Sequence, residues 1–452
     1  MAAEAKKKRI VVVGGDAAGM SAASQVKRQR PDWEVVVLEQ GDYVSYAACG
    51  MPYYVEGRIA ELDELVEITP RAFREKRGID LRLRHRAVAV DPGRRTVTCE
   101  LAAGGREEIG YDDLLLATGA RPLVPDQVTP GKRVLTINNL AEAQRVRQQA
   151  TAAGVRRVAV IGGGLIGLEM SEAFATLGLA TTLVHRREHL ARLLAPAISS
   201  LVKEELQRQG VELCFGAALE GIESRADGVT VLAGGRRLEV DLVLLALGVV
   251  PNSELAAAAG LELGVRGAIV VDDHLRTSDP HIYAAGDCAQ GRMLVDGRPI
   301  FTPLALKANR EGMTAGLVMA GLEASCPGTL GTAIAKVFDL GIARTGLTLE
   351  EAAAAGFQPV QNLITTRSRA RYYPGGGPVH VLVVADRRDG RVLGAQLAGP
   401  LDAVKRIDTF AVIIQQGLTL DQVLELDLAY APPFSPVWDP VLLAARVTRK
   451  QL

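Results

Sequence analysis

Near its start the chain carries the segment Arg9-IVVVGGDAAGMSAASQVKRQRPDWEVVVLE-Gln40. Ile10–Val13 form a β-branched apolar run that stops at two glycines, which is typical of a buried parallel strand. Helical composition follows over Ala17–Gln29 and is ended by Pro31. Glu34–Leu38 repeat the β-branched apolar pattern. The segment therefore predicts a strand, a glycine turn, a helix and a second parallel strand.

The residues at the turn indicate what this βαβ unit binds. Gly14 and Gly19 allow a pyrophosphate to approach the backbone at a helix N-terminus, and Glu39 stands at the end of the second strand, where it can bind a ribose. The middle glycine of the usual G-x-G-x-x-G pattern is replaced by Asp16. Taken alone, the segment also fits a glycine-rich turn before an ordinary helix.

A second copy occurs as Arg157-VAVIGGGLIGLEMSEAFATLGLATTLVHRR-Glu188. Here the glycine pattern is intact after the predicted strand Val158–Ile161, with glycines at Gly162, Gly164 and Gly167. The position expected to be acidic is His185, followed by Arg186 and Arg187. Cations there favour the 2′-phosphate of NADPH over NADH, although they also fit a solvated strand end.

Two dinucleotide units in one chain predict electron transfer between a nicotinamide and a second dinucleotide, for which FAD is the simplest choice. The apolar strand at 114–117 ends before Thr118-Gly119, and a similar strand ends before Gly248. Asp287 follows a third strand and a glycine, where a carboxylate can bind the ribityl hydroxyls of a flavin. The sequence therefore predicts an α/β fold with two Rossmann-like domains, for FAD and NAD(P)H.

Three further segments carry a family resemblance: Ser45-YAACGMPYY-Val55, Ala370-RYYPGG-Gly377 and Leu428-AYAPPFSPVWDPV-Leu442. With the two glycine motifs, they make the whole chain resemble the flavin-dependent pyridine nucleotide-disulfide oxidoreductases. Within that family the chain is most similar to the single-cysteine branch. That branch contains the coenzyme A-disulfide reductases, the NADH oxidases and the coenzyme A persulfide reductases.

The resemblance implies a domain order. Residues 1–120 and 250–325 would form a discontinuous FAD-binding domain around an NAD(P)H-binding domain at 121–249. Residues 326–452 would form an α+β dimerisation domain, which makes the protein a homodimer with C-terminal tyrosines acting in the partner's site. In this last region, Asp389-Gly390 predicts a hairpin and the sequence predicts a helix over Ala403–Gln416.

Cys49 is the candidate redox residue. Dithiol members of the resembled family place a second cysteine five residues later, but that residue is Tyr54. A lone cysteine beside a flavin can form a mixed disulfide with a small thiol, or a sulfenic acid with peroxide. Both reactions need a thiolate, so we expect a lowered pKa and a position near a helix N-terminus.

The resemblance also assigns substrate-site residues. Two tyrosine phenols would donate hydrogen bonds to the leaving sulfur in the manner of a general acid. One is Tyr430, and the other is Tyr372 or Tyr373, with Tyr373 preferred because it is nearer Pro374. Alternatively, Tyr430 is an interface aromatic. The coenzyme A contacts would be Ser21, Gln25, Arg28, Ser45, Arg77 and Asn309, although Arg28 and Arg77 also fit exposed helix charges. Two departures weaken this assignment: Ala48 replaces a family asparagine, and Asn309 replaces a family histidine.

The leading hypothesis is an NADPH:coenzyme A-disulfide reductase that uses FAD and reduces a small-molecule disulfide. One alternative is an NAD(P)H oxidase or peroxidase that cycles through a Cys49 sulfenic acid, and another is a coenzyme A persulfide or polysulfide reductase. Some family members carry an appended C-terminal rhodanese domain, and the sequence reaches Leu452 without one. The disulfide reductase is therefore preferred to the persulfide reductase. A non-catalytic flavoprotein that signals its redox state remains a further alternative.

Composition limits the remaining classes. The chain of 452 residues has 52 basic and 52 acidic residues, which argues against a nucleic-acid partner. Its five cysteines are scattered and show no C-x-x-C pair, so neither a disulfide scaffold nor a metal site is expected. No apolar run is long enough for a membrane span. These features predict a reduced, cytoplasmic setting.

Overall fold

The computed structural model describes residues 7–190, 194–225 and 227–452, so residues 1–6 of the predicted first domain lie outside it. The first part of the chain contains β1 (Arg9–Val13), α1 (Ala17–Gln29), β2 (Glu34–Glu39), α2 (Met51–Val55), α3 (Pro70–Arg77), β3 (Asp80–Leu83), β4 (His85–Asp91), β5 (Thr96–Leu101), β6 (Arg106–Gly110), β7 (Asp113–Leu116) and β8 (Ala120–Pro122). The sequence prediction for α1 is confirmed at both ends.

The second part of the chain repeats the same arrangement. It contains β9 (Val134–Leu135), α4 (Leu140–Ala150), β10 (Arg157–Ile161), α5 (Leu165–Thr176), β11 (Ala180–His185), α6 (Pro196–Arg208), β12 (Glu212–Phe215), β13 (Leu219–Ser224), β14 (Val229–Ala233), β15 (Arg236–Val240), β16 (Leu242–Leu245) and β17 (Val249–Pro251). The chain then continues through α7 (Glu254–Ala258), β18 (Ile282–Ala284), β19 (Gly291–Arg292), β20 (Pro299–Ile300) and α8 (Ala305–Met319).

The C-terminal part consists mainly of longer antiparallel strands. It contains β21 (Ala333–Val337), β22 (Leu340–Gly346), α9 (Leu349–Ala354), β23 (Pro359–Arg367), β24 (Pro378–Asp386), β25 (Val392–Gly399), α10 (Leu401–Val404), α11 (Ile407–Gln415), α12 (Leu420–Leu424) and α13 (Pro440–Thr448). Short 3-10 helices occur at Ala48–Gly50, Leu62–Leu65, Val265–Gly267 and Arg449–Gln451.

Two parallel sheets follow one plan. The first has the strand order β18-β7-β1-β2-β3 and the second has the order β12-β11-β10-β16-β9. In both, the apolar strand before the glycine turn lies in the centre and is buried except at its first residue. A three-stranded antiparallel sheet accompanies each: β4-β5-β6 with the first and β13-β14-β15 with the second. Ligands of such sheets bind at the carboxyl ends of the strands, which is where the two glycine turns lie.

The chain passes from the first sheet to the second and back again. β8 leads out and β17 leads back, and these two short strands pair antiparallel, with Val250 opposite Arg121. After this return, β18 joins β7 at the edge of the first sheet. The first sheet is therefore assembled from residues on both sides of the second sheet in sequence.

The third sheet is antiparallel, with the order β21-β22-β25-β24-β23. The predicted hairpin is confirmed, because Asp389-Gly390 joins β24 to β25 and Gly390 has a φ of +74°. The predicted helix over Ala403–Gln416 is wrong in one respect, since it is broken into α10 and α11. The break falls at Arg406, where the backbone N–H donates to the carbonyl of Ala403, three residues back instead of four.

No helix in the described ranges is both long enough and apolar enough to cross a membrane. The longest helix in that part of the chain, α8, packs along α1 instead of standing apart from the core.

Candidate active site

The turn after β1 leaves no room for side chains. Gly14 has a φ of +113°, and a Cβ atom there would lie 2.1 Å from the carbonyl oxygen of Ala117. A Cβ atom on Gly19 would lie 1.9 Å from the carbonyl oxygen of Gly14. Both predicted glycines are therefore required for the N-terminus of α1 to sit against the end of β1, which forms the expected phosphate cradle.

Glu39 at the end of β2 braces this turn. One carboxylate oxygen accepts the N–H of Gly15 at 2.8 Å, and the other accepts the N–H of Gly41 at 2.6 Å. Burial raises the pKa of Glu39, while the two backbone donors oppose that effect. Each oxygen keeps a lone pair, so the carboxylate can still accept a ribose hydroxyl.

Asp16, the departure from the glycine pattern, connects the cradle to the cysteine segment. Its carboxylate accepts the N–H of Tyr46 at 3.3 Å, and the N–H of Ser45 donates to the carbonyl of Gly15 at 3.0 Å. Ser45 has a φ of +49°, so the chain turns sharply there. Burial raises the pKa of Asp16 to about 6. Sequence reasoning treated Asp16 only as a defect in the motif and missed this contact.

Cys49 lies four residues after Ser45, in a 3-10 turn that leads directly into α2. The expected helix N-terminus is confirmed, and the residue is exposed. The expected lowered pKa is not found: burial raises the pKa of the Cys49 thiol, and the Glu169 and Asp287 carboxylates raise it further. The burial of Cys49 and the two carboxylates near it therefore disfavour the thiolate.

The position of the second cysteine in dithiol relatives is filled by a packed aromatic ring. Tyr54 is 7% exposed, and the guanidinium of Arg147 lies 4.5 Å from its ring centre. Arg147 belongs to α4 and also donates to the carbonyls of Ile59 and Ala60. The cysteine-bearing helix α2 is thus held against the second parallel domain.

Glu169 on α5 is a site residue that sequence reasoning missed. Burial raises its pKa to about 7. Its charge acts on both Cys49 and Tyr53. The only signal in the sequence is an acid two residues after the last glycine of the second motif, on a helix that is otherwise apolar there.

Asp287 provides a second acidic group for the first dinucleotide unit. It follows β18, and its Oδ1 atom is buried with no hydrogen-bond partner among the described residues. Burial raises the pKa of Asp287, and nearby Lys307 opposes this. A buried acceptor without a donor fits a ligand that brings hydroxyl groups, as the ribityl chain of FAD does.

Thr118, Gly119 and Gly248 lie where the chain crosses between the two parallel domains. The Thr118 hydroxyl donates to the carbonyl of Asn252 at 2.5 Å, and the Asn252 amide donates back to the carbonyl of Thr118 at 2.9 Å. Gly119 and Gly248 both have positive φ angles. These residues tie the two crossing strands together, and in this structure the Thr118 hydroxyl is already engaged.

The second cradle has the same form as the first. A Cβ atom on Gly162 would lie 2.2 Å from the carbonyl oxygen of Ala246, and one on Gly167 would lie 1.8 Å from that of Gly162. A Cβ atom on Gly164 would meet nothing within 4 Å, so this position faces open space. That space fits an approaching pyrophosphate.

His185 takes the place that Glu39 has in the first unit. Its Nδ1 atom accepts the N–H of Gly163 at 3.2 Å, which requires the neutral ring with the proton on Nε2. Burial lowers the pKa of His185, in agreement with this. Arg186 and Arg187 are exposed, so they and not His185 carry the positive charge of the predicted cluster.

Two of the three candidate tyrosines are paired. The hydroxyls of Tyr372 and Tyr430 lie 3.4 Å apart, on side chains that are 75% and 46% exposed. Tyr373 is 37% exposed, and its N–H donates to the carbonyl of Ala370. The geometry therefore joins Tyr430 to Tyr372 instead of Tyr373.

The six candidate coenzyme A residues fall into three places. Ser21 on α1 donates to the Asn309 side chain on α8 at 2.8 Å, and Ser45 lies on the segment that leads to Cys49. Arg28 donates to the mostly buried Gln25 at 2.7 Å. Arg77 donates to Ser24 at 2.6 Å.

Arg28 and Arg77 share a groove between α1 and α3. Its volume is about 380 Å³, and it is lined by Ser24, Lys27, Arg28, Pro31, Lys76, Arg77 and Gly78. Four of these residues are cations and none is acidic. Such a surface suits a phosphate-bearing ligand.

Two dinucleotide cradles, a single accessible cysteine beside the first, and a paired-tyrosine surface together define a flavoprotein that oxidises a reduced nicotinamide. The chain matches the pyridine nucleotide-disulphide oxidoreductase family over residues 8–307, and that family's dimerisation domain over residues 332–440. It therefore belongs to this family, whose members use FAD and NAD(P)H.

The chain is 40% identical over 448 residues to the NAD(P)H coenzyme A polysulfide/persulfide reductase of Pyrococcus horikoshii, covering 99% of each chain. It is 30% identical over 432 residues to the coenzyme A disulfide reductase of Staphylococcus haemolyticus, covering 95% of this chain and 96% of the relative. The structure of an NAD-dependent persulfide reductase from A. fulgidus aligns with a TM-score of 0.95 and 37% identity, covering 98% of this chain and 83% of that one. An FAD-dependent disulfide or persulfide oxidoreductase is thereby supported.

Proposed function

We propose that the protein is an NADPH-dependent coenzyme A-disulfide reductase. The observation that carries the proposal is the position of Cys49, which is exposed and tied through the Ser45–Tyr46 segment to the turn of the first cradle. All five cysteines are free, and the position of the second cysteine in dithiol relatives is filled by Tyr54. A mixed disulfide with an external thiol is the form such a cysteine can hold.

The sulfur chemistry balances as two exchanges. The Cys49 thiolate attacks one sulfur of a coenzyme A disulfide, so that a Cys49–coenzyme A disulfide forms and one coenzyme A thiolate leaves with a proton. FAD held by Gly14, Gly19, Glu39 and Asp287 would supply two electrons from NADPH for the reduction of this mixed disulfide, which with one proton gives the Cys49 thiolate and a second coenzyme A thiol. Asp16 and Ser45 hold the cysteine segment against the cradle throughout.

The tyrosine pair supports a thiol as the leaving group. An alkyl thiolate leaves slowly unless it is protonated or hydrogen-bonded. Tyr372 and Tyr430 present two phenols 3.4 Å apart at the surface of the C-terminal domain. We propose that a homodimer brings this pair to Cys49 of the partner, because the segment after Tyr430 also exposes the large side chains of Phe434 and Trp438, which a partner would cover.

The groove between α1 and α3 supports coenzyme A as the thiol. Arg28 and Arg77 each donate one hydrogen bond to a neighbouring side chain, so their guanidinium groups are partly oriented before a ligand arrives. Coenzyme A carries phosphates far from its sulfur, so its phosphates would bind cations that are not part of the cysteine segment. We propose that the groove binds the nucleotide end of coenzyme A.

Persulfide or polysulfide reduction is the second candidate. The relative at 40% identity is named as a coenzyme A polysulfide/persulfide reductase and is matched over 99% of its own length. The preference for the disulfide reductase that rested on an appended rhodanese domain therefore fails, since a relative of the same extent carries the persulfide name. The tyrosine pair keeps the disulfide reductase first, because a sulfide leaving group needs less help than an alkyl thiolate.

The test is anaerobic NADPH oxidation with coenzyme A disulfide, or with coenzyme A plus polysulfide, for the wild type, Cys49→Ser and Cys326→Ser. We expect turnover with the disulfide that is lost in Cys49→Ser and kept in Cys326→Ser, because Cys326 is a partly accessible cysteine outside the site. Turnover only with polysulfide would establish the second candidate. NADPH oxidation that begins only when air is admitted to the assay would establish the oxidase.

A further inference from the structure

Helix α8 carries a buried ion pair that the reaction above does not use. Lys307 and Glu311 are 6% and 5% exposed, and Nζ of Lys307 lies 2.9 Å from Oε2 of Glu311. Lysine and glutamate are almost never this buried unless every polar atom is engaged. The pair therefore has to be explained by what it bonds.

Both residues bond the same turn, which lies between β18 and residue 290. Nζ of Lys307 donates to the carbonyl of Gly286 at 3.0 Å and to that of Ala289 at 3.2 Å, so its three donors are all used. Oε2 of Glu311 accepts the N–H of Gly286 at 2.9 Å. The pair thus fixes both ends of the turn that contains Asp287.

Helix α8 is itself locked onto α1, the helix of the first cradle. A Cβ atom on Gly312 would lie 2.2 Å from the carbonyl oxygen of Ala18, and one on Gly316 would lie 2.6 Å from that of Ala22. Gly286 also presses on α1, with its Cβ position 3.0 Å from that of Ala18. The distance between the cradle and Asp287 is therefore set through α8.

We propose that Lys307 and Glu311 are positioning residues for FAD, which hold Asp287 at a fixed place relative to the phosphate cradle. The unpartnered Oδ1 atom of Asp287 is the group they aim at the flavin half of the cofactor. Recognition of the adenosine half stays with Gly14, Gly19 and Glu39, which the pair does not contact. This inference rests on FAD as the cofactor and is independent of the sulfur acceptor.

The discriminating measurement compares FAD with ADP, which lacks the flavin and ribityl chain. We expect Lys307→Met/Glu311→Gln, in the full-length protein stripped of FAD, to bind FAD about tenfold or more weakly. ADP affinity should change less than about twofold, because the cradle is intact. The double substitution is chosen because it leaves no lone buried charge. Equal losses for FAD and ADP, or no loss for either, would overturn the proposal.

A matched control is available elsewhere in the chain. Lys336 pairs with the buried Glu172 between the C-terminal and second parallel domains. Lys336→Met/Glu172→Gln removes a similar pair, and we expect it to leave both FAD and ADP affinities unchanged. If the control lowers the FAD affinity relative to ADP as much as Lys307→Met/Glu311→Gln does, the effect is general loosening and the proposal fails.

A cycle with Asp287→Asn tests whether the pair acts through that residue. In the wild type we expect Asp287→Asn to weaken FAD binding, and in the Lys307→Met/Glu311→Gln background we expect it to cost less than half of that fold-change. Losses that multiply independently would overturn the proposed route. Should the double variant not fold, Glu311→Asp keeps both charges and shortens the reach to Lys307 and Gly286 by one methylene group, and the same FAD-against-ADP comparison and cycle apply with smaller losses expected.

Discussion

The turn after β1 and the turn after β10 exclude side chains at equivalent positions. In each, a Cβ atom on the first glycine would lie too close to a carbonyl oxygen just after a neighbouring strand, at 2.1 Å for Gly14 and 2.2 Å for Gly162. In each, a Cβ atom on the last glycine would lie too close to the carbonyl oxygen of the first, at 1.9 Å for Gly19 and 1.8 Å for Gly167. Backbone contacts thus impose glycine at two places, whichever dinucleotide is bound.

The two turns differ at the positions that backbone contacts leave free. Asp16 stands where Gly164 leaves open space, and His185 stands where Glu39 accepts a backbone N–H. Each of these two side chains accepts a backbone hydrogen bond: Asp16 accepts the N–H of Tyr46, and His185 accepts the N–H of Gly163. Shared glycines therefore build the cradle, while the free positions adapt each copy to its cofactor and to its neighbours.

The largest expected effects come from breaking one cradle at a time. Gly19→Ala forces a Cβ atom into the carbonyl of Gly14, and we expect FAD affinity to fall by more than about 100-fold because the helix must shift. Gly167→Ala should spare FAD and abolish flavin reduction by NADPH. Retained FAD is read from the visible spectrum of the purified protein, and reduction from stopped-flow bleaching.

Gly164→Ala is the matched control for these substitutions. A Cβ atom there meets nothing within 4 Å, so the fold and FAD content should equal those of the wild type. Only NADPH binding should weaken, because the added methyl group stands in the space expected for the pyrophosphate. Loss of FAD from Gly164→Ala or Gly167→Ala would show that the two cradles are not independent.

The next effect concerns the choice of nicotinamide. His185→Glu gives the second unit the acid of the first, which can accept both the Gly163 N–H and a ribose hydroxyl and which repels a 2′-phosphate. We expect the ratio of kcat/KM for NADPH to that for NADH to fall by about 10- to 100-fold. Arg187→Ala should lower only the NADPH value. An unchanged ratio in His185→Glu would remove residue 185 from cofactor selection.

The glycine cradles could be predicted from sequence because their cause is local: a strand, a tight turn and a helix lie within thirty residues. The contact from Asp16 to Tyr46 could not, because the cysteine segment returns to the turn only through the left-handed Ser45. The raised pKa of Cys49 was missed for a similar reason. Its causes, burial and the Glu169 and Asp287 carboxylates, come from elements far apart in sequence.

The break in the predicted helix over Ala403–Gln416 was missed as well. Its composition is helical throughout, but the Arg406 N–H donates to the carbonyl of Ala403, three residues back. Periodicity predicts the propensity of a segment and not a local change in its backbone hydrogen bonds. Long-range polar contacts are the part of this site that only the structure reveals.

The smallest expected effect tests Asp16 itself. Its pKa is raised from 3.8 to about 6 in the folded protein, so the folded state binds more protons than the unfolded state between these values. Stability should therefore fall as the pH rises from about 4 to about 6 and stay lower above that range. Asp16→Asn keeps an acceptor for the Tyr46 N–H without the charge, and should be more stable than the wild type near pH 7 by about 1–3 kcal/mol.

Urea unfolding of the FAD-free protein between pH 4 and pH 8 measures this difference, with Asp32→Asn as a control on the exposed turn before β2. Asp32→Asn should follow the wild-type curve. A loss of stability in Asp16→Asn at pH 7 would mean that the carboxylate's bond to Tyr46 outweighs its burial. Asp16 would then be retained in place of glycine for the fold alone. A gain would mean that the chain keeps a charge that destabilises the FAD-free protein at neutral pH, since asparagine still accepts the Tyr46 N–H and holds the Cys49 segment against the cradle.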